Sequence, residues 1–236
     1  KIIHSILILF TVVFAIIVTL FVGIQDPIHQ KFAVRFVGGF LSEKTGADIK
    51  VGSLAVTPDL RIFIDDVIVK DLKKNVLASV GKLKTKIDIT DLLEGEIHIK
   101  NAELRDTEAN LIMYEGENQF NFGFIADAFK SDKEKPEKEP MPIIVDKISL
   151  KKVDFLFWNQ NNDNPEKTEQ NLMDYSHIDL DDINLEATNF FMLGDSIRAN
   201  IASLSATELS GLELKHFGSE VVVCSNGICL DGMKID

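Results

Sequence analysis

The chain has 236 residues, a formal net charge of −12 and 45% hydrophobic residues, which is enough apolar sequence for a folded core and too much for a disordered polypeptide. Its 37 acidic residues outnumber its 25 basic residues, and no basic stretch is interleaved with aromatic residues. Nucleic acid is therefore excluded as an expected partner, because nucleic-acid binding depends on basic patches that neutralise phosphates.

The first segment, residues 1–24, predicts a transmembrane helix. Residues 2–24 carry no formal charge, and as a helix they would span roughly 35 Å, which exceeds the ~30 Å hydrocarbon core of a bilayer. A cleaved signal peptide is the alternative. Its apolar region is usually about 7–15 residues and ends at a small-residue cleavage site, which the following "QDPIHQKF" does not supply. We expect an uncleaved single-pass anchor, and Lys1 favours a cytoplasmic N terminus.

Residues 25–46 predict an amphipathic helix. Asp26 and Pro27 are typical of an N cap and a first helical turn, and Gly46 is typical of a C cap. Such a helix can pack on its own domain or lie on a bilayer. Its apolar stripe consists of Ile28, Phe32, Phe36, Val37, Phe40 and Leu41.

From residue 47 onward the chain predicts strands with a recurring irregularity, apolar-x-apolar-x-x-apolar-x-apolar. Side chains alternate between the faces of a strand, so the second apolar pair stays on the first pair's face only if the strand takes up an extra residue as a bulge or bend. The six full copies are Ile49, Val51, Leu54, Val56; Ile62, Ile64, Val67, Val69; Ile97, Ile99, Ala102, Leu104; Ile148, Leu150, Val153, Phe155; Ile178, Leu180, Ile183, Leu185; and Ile228, Leu230, Met233, Ile235.

Repeated bulges favour a mainly β fold with a strongly curved, elongated sheet whose concave face is apolar. The alternative is an ordinary sandwich or barrel, in which bulges are also common. The copies are unevenly spaced, so a strict solenoid is not expected.

Composition divides the strand-rich part of the chain. Residues 47–129 form a first β-region that ends in a short predicted helix around Ile125 and Ala128, and residues 143–236 form a second β-region. Between them, residues 130–142 are rich in charge and proline and predict a disordered linker. Whether the two regions are separate domains or parts of one sheet stays open at this point.

The sequence offers little catalytic chemistry. No histidine pairs with another His, Cys or carboxylate at metal-site spacing, and no nucleophile or phosphate-binding motif is present, so we expect no metal, no cofactor and no enzyme activity. The carboxylates Asp65, Asp66, Asp179, Asp181 and Asp182 are interpreted as polar residues of the bends.

The two cysteines lie in "VVVCSNGICLDG", which predicts a hairpin with Asn226–Gly227 as its turn. That register places Cys224 opposite Cys229 in a non-hydrogen-bonded pair, with Cα atoms roughly 4.5 Å apart and within disulfide range. A disulfide and two small buried thiols are both compatible with the pattern.

The N-terminal apolar helix leads into "GIQDPIHQKFAVRFVGGFLSEKTGADIKVGSLAV" and then "LRIFIDDVIVKDLKKNVLASVGKLKTKIDITDLLEGEIHIKNAEL". These stretches resemble the N-terminal region of the TamB (translocation and assembly module subunit) family of the AsmA-like group. "FNFGFIADAF" with the charged linker after it, and "LSATELSGLELKHF", resemble the Bacteroidota branch. The resemblance extends over nearly the whole chain, but loose apolar patterns carry it.

The resemblance implies a bacterial inner-membrane protein, single-pass, with its bulk in the periplasm and an apolar β-groove of the bridge-like lipid transfer type. It implies phospholipid and the inner membrane as partners. An outer-membrane barrel-assembly-type protein is expected to be reached through a C-terminal region beyond these residues, as part of a longer chain. The expected function is phospholipid transfer between membranes and outer-membrane biogenesis. The competing function is a non-enzymatic scaffold or chaperone for outer-membrane protein assembly or secretion.

On this hypothesis the apolar pairs of the bent strands line the groove, and the amphipathic helix lies at its membrane-side entrance through Ile28, Phe32, Phe36 and Phe40. The groove candidates are Ile49, Val51, Leu54, Val56, Ile62, Ile64, Val67, Val69, Ile97, Ile99, Leu104, Ile148, Leu150, Val153, Phe155, Ile178, Leu180, Ile183 and Leu185.

Overall fold

The computed structural model describes residues 27–57, 59–88, 90–91, 96–128, 141–162, 172–225 and 227–236, with backbone only at 27–33 and 126. The predicted anchor at 1–24 and nearly all of the predicted linker lie outside these ranges. Within the described ranges, no helix combines the length and the apolar character needed to cross a bilayer.

The chain is mainly β, as predicted. Helix α1 (Pro27–Thr45) precedes the strands, and the short helix α2 (Gly123–Ala128) lies between the fourth and fifth strands, where a short helix was predicted. The strands are β1 (Asp48–Val56), β2 (Arg61–Lys70), β3 (Val76–Ile87), β4 (Ile97–Met113), β5 (Ile143–Asn159), β6 (His177–Leu193), β7 (Ser196–Glu208), β8 (Glu213–Cys224) and β9 (Gly227–Ile235). A 3₁₀ turn (Gln160–Asn162) follows β5.

All nine strands form one sheet, and their order in the sheet is their order in the chain. The two β-regions are therefore parts of a single sheet. They join through a parallel ladder between β4 and β5, which begins at the pair Ile97 and Ile143. Every other pair of neighbouring strands is antiparallel. The connection that carries α2 brings the chain back to the start of β4, as a parallel pairing requires.

Helix α1 ends at the predicted C cap. Gly46 has a φ of +72°, and its N–H donates to the Ser42 carbonyl at 2.8 Å. The chain then reverses into β1 beneath the helix. The Ser42 hydroxyl accepts the Ile49 N–H at 3.0 Å, so a side-chain hydrogen bond fixes the helix end to the first strand.

The predicted bends are confirmed in five of the six copies, as left-handed residues or as a bulge. The second residue of the slip has a positive φ in four of the six copies, at Asp66 (55°), Lys152 (53°), Asp182 (54°) and Gly232 (61°). In the copy on β4, the pairs Lys86–Asn101 and Ile87–Ile99 leave Lys100 as an extra residue. Each left-handed residue or bulge adds one residue to its strand, and the following apolar side chains stay on the same face.

The kinks of neighbouring strands are aligned across the sheet. In the ladders that join β1 to β5, one position of each strand interrupts the pairing between two paired neighbours. These five positions lie next to one another across the sheet. We call this row the kink line; it consists of Gly52, Asp66, Gly81, Asp106 and Lys152. Glycines stand where the neighbouring backbone approaches closely: a Cβ added to Gly52 would lie 2.7 Å from the Cβ of Asp66.

A packed core lies at one end of the sheet, where β1 ends and β2 begins. Ile97 is 1% exposed there. Val34 of α1 and Phe190 of β6 pack against this cluster from either side. The buried members are Leu54, Val56, Ile62, Ile87, Ile97, Ile99 and Val145.

Candidate functional site

The strand register places all the predicted groove candidates on one face of the sheet. Directly paired residues project to the same side. Following the pairs from β1 to β6 gives rows that join candidates from different strands. One such row contains the candidates Val51, Val67, Val153 and Ile183, joined through Val80 and Thr107. We call this side the apolar face.

One row crosses the whole sheet and carries a large apolar side chain on every strand. Its members are Leu54, Ile64, Leu83, Leu104, Leu150, Leu185, Leu204, Phe217 and Ile235. Sequence reasoning missed Leu83 and Leu204 as members of the face. Phe217 belongs to a partial copy of the slipped pattern and Ile235 to a full copy, but neither was among the groove candidates. The signal for Leu83 was available, since Ala78, Val80, Leu83 and Thr85 repeat the slip with Gly81 at the bend.

The part of the apolar face under α1 encloses a cavity of about 190 Å³. Candidates from both sides of the bends line it, so the kinks keep each strand's two apolar pairs together. The single polar side chain in the lining is that of Thr45, and its hydroxyl donates to the Leu41 carbonyl at 2.7 Å. An apolar lining of this kind offers water almost no hydrogen-bond partners. The lining residues are Val37, Leu41, Thr45, Ile49, Val51, Leu54, Ile64, Val67, Val69 and Ile125.

Other groove candidates fill the packed core and are not open to a ligand. Val56, Ile62, Ile97 and Ile99 are buried in it, and Ile148 packs against it. Their side chains contact one another at the end of the sheet where α1 and Phe190 cover them. This end of the apolar face is therefore ordinary protein interior.

From β4 to β6 the remaining candidates are half-buried, apart from Val153, which is buried. Among the described elements, α1 packs on β1 and touches α2, and no helix packs on β5 or β6. These candidates are Leu104, Leu150, Val153, Phe155, Ile178, Leu180, Ile183 and Leu185. No described helix covers this stretch, and at its edge the ring of Phe120 packs on Phe157, the partner of Ile178, with centroids 5.2 Å apart.

Strand β9 lies at the far edge of the sheet, where the apolar face is exposed to solvent. Ile228 is 68% exposed and Ile235 is 66% exposed, and every residue of the strand is exposed. Strand β9 pairs with β8 on one side, and its other edge has no partner among the described strands. Strand β9 is thus an apolar edge strand of the described sheet.

The predicted apolar stripe of α1 divides between two sides of the helix. Phe36 and Phe40 are exposed and stack on each other, while Val37 and Leu41 face the cavity. The reversal at Gly46 places β1 under the Val37 side of the helix, which leaves the two phenylalanines on the outside. Ile28 and Phe32 belong to the part of α1 described by backbone alone.

No protein-family model and no curated protein sequence matches the chain. The apolar face itself therefore carries the functional argument.

A charged cluster joins the turn after β3 to β4 and β5. His98 contacts Asp91 through Nδ1, and its Nε2 lies 2.8 Å from an Asp146 carboxylate oxygen. These hydrogen bonds, Asp146 first, raise the pKa of His98 above its usual value, although burial opposes the shift. Lys100 lies 3.5 Å from the Asp88 carboxylate.

The expectation that no histidine meets carboxylates at metal-ligand spacing is wrong for this cluster. Asp88, Asp91 and His98 bring three possible ligand atoms within 4.8 Å of one another. The cluster could not be recognised from the sequence, because Asp146 is remote in the chain and Asp88 and Asp91 precede β4 by a turn. The carboxylates of Asp88, Asp91 and Asp146 outnumber the two basic side chains, His98 and Lys100, so the cluster keeps a net negative charge. Its hydrogen bonds and ion pairs act as a clasp between β3, β4 and β5.

The carboxylates interpreted as polar residues of the bends are hydrogen-bonded or lie close to other carboxylates. Asp65 accepts a hydrogen bond from the Ser53 hydroxyl at 2.8 Å, and the Asp182 N–H donates to Asp154 at 3.0 Å. Burial, and secondarily the Asp181 charge, raises the pKa of Asp179 above its usual value.

The predicted opposition of the two cysteines is wrong. Cys224 pairs with Gly227 and Cys229 pairs with Val222, and both thiols are free. Gly227 enters the ladder with a φ of +143°, which a glycine adopts readily, so it is paired with Cys224 and does not belong to the turn. The register shifts accordingly, and the two cysteines are diagonal neighbours.

Proposed function

We propose that this protein is a membrane-anchored, non-catalytic carrier of phospholipid, in which acyl chains lie along the apolar face of the sheet. The observation that carries the proposal is the row of large apolar side chains that runs through all nine strands, from Leu54 to Ile235. The row is covered at the α1 end and uncovered beyond it.

Physical chemistry favours acyl chains as the occupant. Moving a lipid through water exposes its tails at about 0.8 kcal/mol per CH₂. A continuous apolar face removes that barrier without any reaction, so the function requires no catalytic group. Headgroups can stay hydrated at the open side.

The kinks support a groove in place of a flat surface. Each bulge or left-handed residue increases local twist and bends its strand. The kink line contains three left-handed residues, Asp66, Asp106 and Lys152, and they are expected to curve the sheet toward one side. The proposed form is a curved, elongated sheet of the bridge-like lipid transfer type, with the apolar face concave.

The proposed setting combines the apolar run at 1–24 with what the family resemblance implies. A span at 1–24 would anchor the chain in a bacterial inner membrane with the sheet in the periplasm. Transport toward an outer-membrane partner of the barrel-assembly type, as the TamB-like resemblance implies, belongs to the same proposal.

The test is site-specific photocrosslinking in cells. A benzophenone side chain at Leu150 lies on the apolar face and is expected to capture phospholipid, detected by mass spectrometry of the purified adduct. The matched control is the adjacent Lys151, which is exposed on the opposite face and should give no lipid adduct. Capture of protein alone at Leu150, or equal lipid capture at both positions, would contradict the proposal.

A second candidate function is the scaffold or chaperone for outer-membrane proteins. The observation that favours it is β9, because an exposed edge strand is a template for strand addition by another polypeptide. A benzophenone at Cys229 on this strand would then capture a specific outer-membrane protein, while Leu150 would capture no lipid.

A further inference from the structure

Helix α1 has a second apolar surface, directed away from the sheet. Phe36 is 51% exposed and Phe40 is 36% exposed, and their rings stack with centroids 6.4 Å apart. One turn apart on the helix, they form a stripe separate from that of Val37 and Leu41, which are 6% and 9% exposed. Two large aromatic side chains are thus held together in contact with solvent.

Charge on the helix differs in sign from charge on the whole chain. Helix α1 contains three basic residues, Lys31, Arg35 and Lys44, and one acidic residue, Glu43, whereas the chain as a whole carries −12. Arg35 and Lys44 are exposed beside the phenylalanines. An apolar stripe flanked by cations is typical of a helix that lies in the interface of an anionic bilayer.

The position of the helix in the chain supplies a second argument. The uncharged run at 2–24 ends three positions before the first residue of α1, Pro27. If that run spans a bilayer, two intervening residues cannot carry α1 far from the membrane surface, because an extended residue reaches at most about 3.6 Å.

A second copy of the chain is a weaker occupant for this stripe. A phenylalanine buries about 150–250 Å² at most, so two of them supply about 300–500 Å². A specific protein–protein interface usually buries about 800 Å² on each partner. The largest group of exposed apolar residues on one element, Ile228, Leu230, Met233 and Ile235, lies on β9, at the other end of the sheet.

We propose that the Phe36–Phe40 stripe of α1 inserts into the interfacial layer of a lipid bilayer. The helix then lies between membrane and sheet, with its phenylalanines in lipid and its Val37 side on the cavity. Insertion to about 5–10 Å is the usual depth for such helices. The inference rests on the predicted anchor, and it holds whether or not the sheet carries lipid.

Tryptophan depth measurements on the full chain test it. Trp158 is the single tryptophan, so Trp158→Phe removes the native tryptophan fluorescence and leaves Phe36→Trp as the single tryptophan emitter. The matched control is Tyr175→Trp in the same background, because Tyr175 is an exposed aromatic, at 73%, far from α1 in the chain. Each protein is reconstituted into phosphatidylethanolamine–phosphatidylglycerol vesicles with or without phospholipid brominated in its acyl chains.

The expected result is loss of more than half of the Phe36→Trp emission with brominated lipid, and no loss for Tyr175→Trp. Equal quenching of the two proteins, or none in either, would overturn the inference. Blue-shifted but unquenched Phe36→Trp emission would also overturn it, since the stripe would then be covered by protein. Failure of the proposed lipid transfer would appear separately, as absence of lipid capture at Leu150.

Discussion

Replacing Gly81 with alanine tests the kink line at its centre. Gly81 lies on β3 opposite Asp106 of β4, which has a φ of 50°. A Cβ at position 81 would lie 2.8 Å from the Asp106 carbonyl oxygen and 2.9 Å from its Cβ. Both neighbours belong to or adjoin the backbone of a paired strand and cannot rotate away, so β3 or β4 must shift.

Two opposing effects set the size of the change. Overpacking of this kind costs about 1–3 kcal/mol of folding free energy. Alanine also restricts the unfolded chain, which returns about 0.4–1 kcal/mol. The net expectation for Gly81→Ala is destabilisation by about 1–2 kcal/mol, which for a chain of this size lowers the Tm by about 3–6 °C.

The assay is thermal unfolding of the detergent-solubilised protein, followed by circular dichroism. Gly39→Ala is the matched control, because a Cβ at Gly39 in α1 meets nothing within 4 Å. In a helix the same substitution should stabilise the protein by about 0.5–1 kcal/mol. If Gly81→Ala unfolds at the wild-type temperature or above it, the close approach across the kink line is refuted.

Three further expectations concern the core, the bends and the charged clasp. Ile97→Ala should destabilise the protein by about 2–5 kcal/mol in denaturant titration, because Ile97 is 1% exposed, whereas Ile228→Ala should change stability by less than about 0.5 kcal/mol. Asp66→Val should lower the Tm and Asp66→Gly should not, since a β-branched side chain opposes a φ of 55°; equal Tm values would contradict this. Because its carboxylate partners raise the pKa of His98, the stabilisation is fully present below about pH 6.5 and is lost as pH rises through the raised value. Tm measured against pH should therefore fall across this window in the wild type and less in His98→Asn, and parallel profiles would exclude the clasp as the cause.

The sequence predicted the bends best where apolar residues stand on both sides of a polar pair. Asp66, Lys152 and Asp182 were found in this way. The left-handed residue Asp106 was missed because Thr107 occupies an apolar position after the bend, and Asn189 was missed because Ala187 is only weakly apolar. Periodicity therefore predicts the class of strand, but it undercounts its kinks.

Tertiary relations were less accessible to sequence reasoning. The pairing of β4 with β5 joins residues separated by the linker, and local patterns carry no information on it. The orientation of Phe36 and Phe40 depends on the direction in which β1 runs beneath α1. The hairpin register depends on the conformation of one residue, Gly227. Because Gly227 pairs with Cys224, Cys229 lies opposite Val222 and not opposite Cys224.

The single parallel ladder between β4 and β5 has a kinetic consequence. Strands β1–β4 and strands β5–β9 are linked internally by antiparallel neighbours close in sequence, and such local contacts form early. The pair Ile97 and Ile143 closes a much longer loop, so docking of the two blocks is expected to be the slow step of folding. Amide hydrogens of β4 and β5 that bridge the blocks should then gain protection from exchange later than those within either block, which makes this seam the natural boundary between two cooperative units.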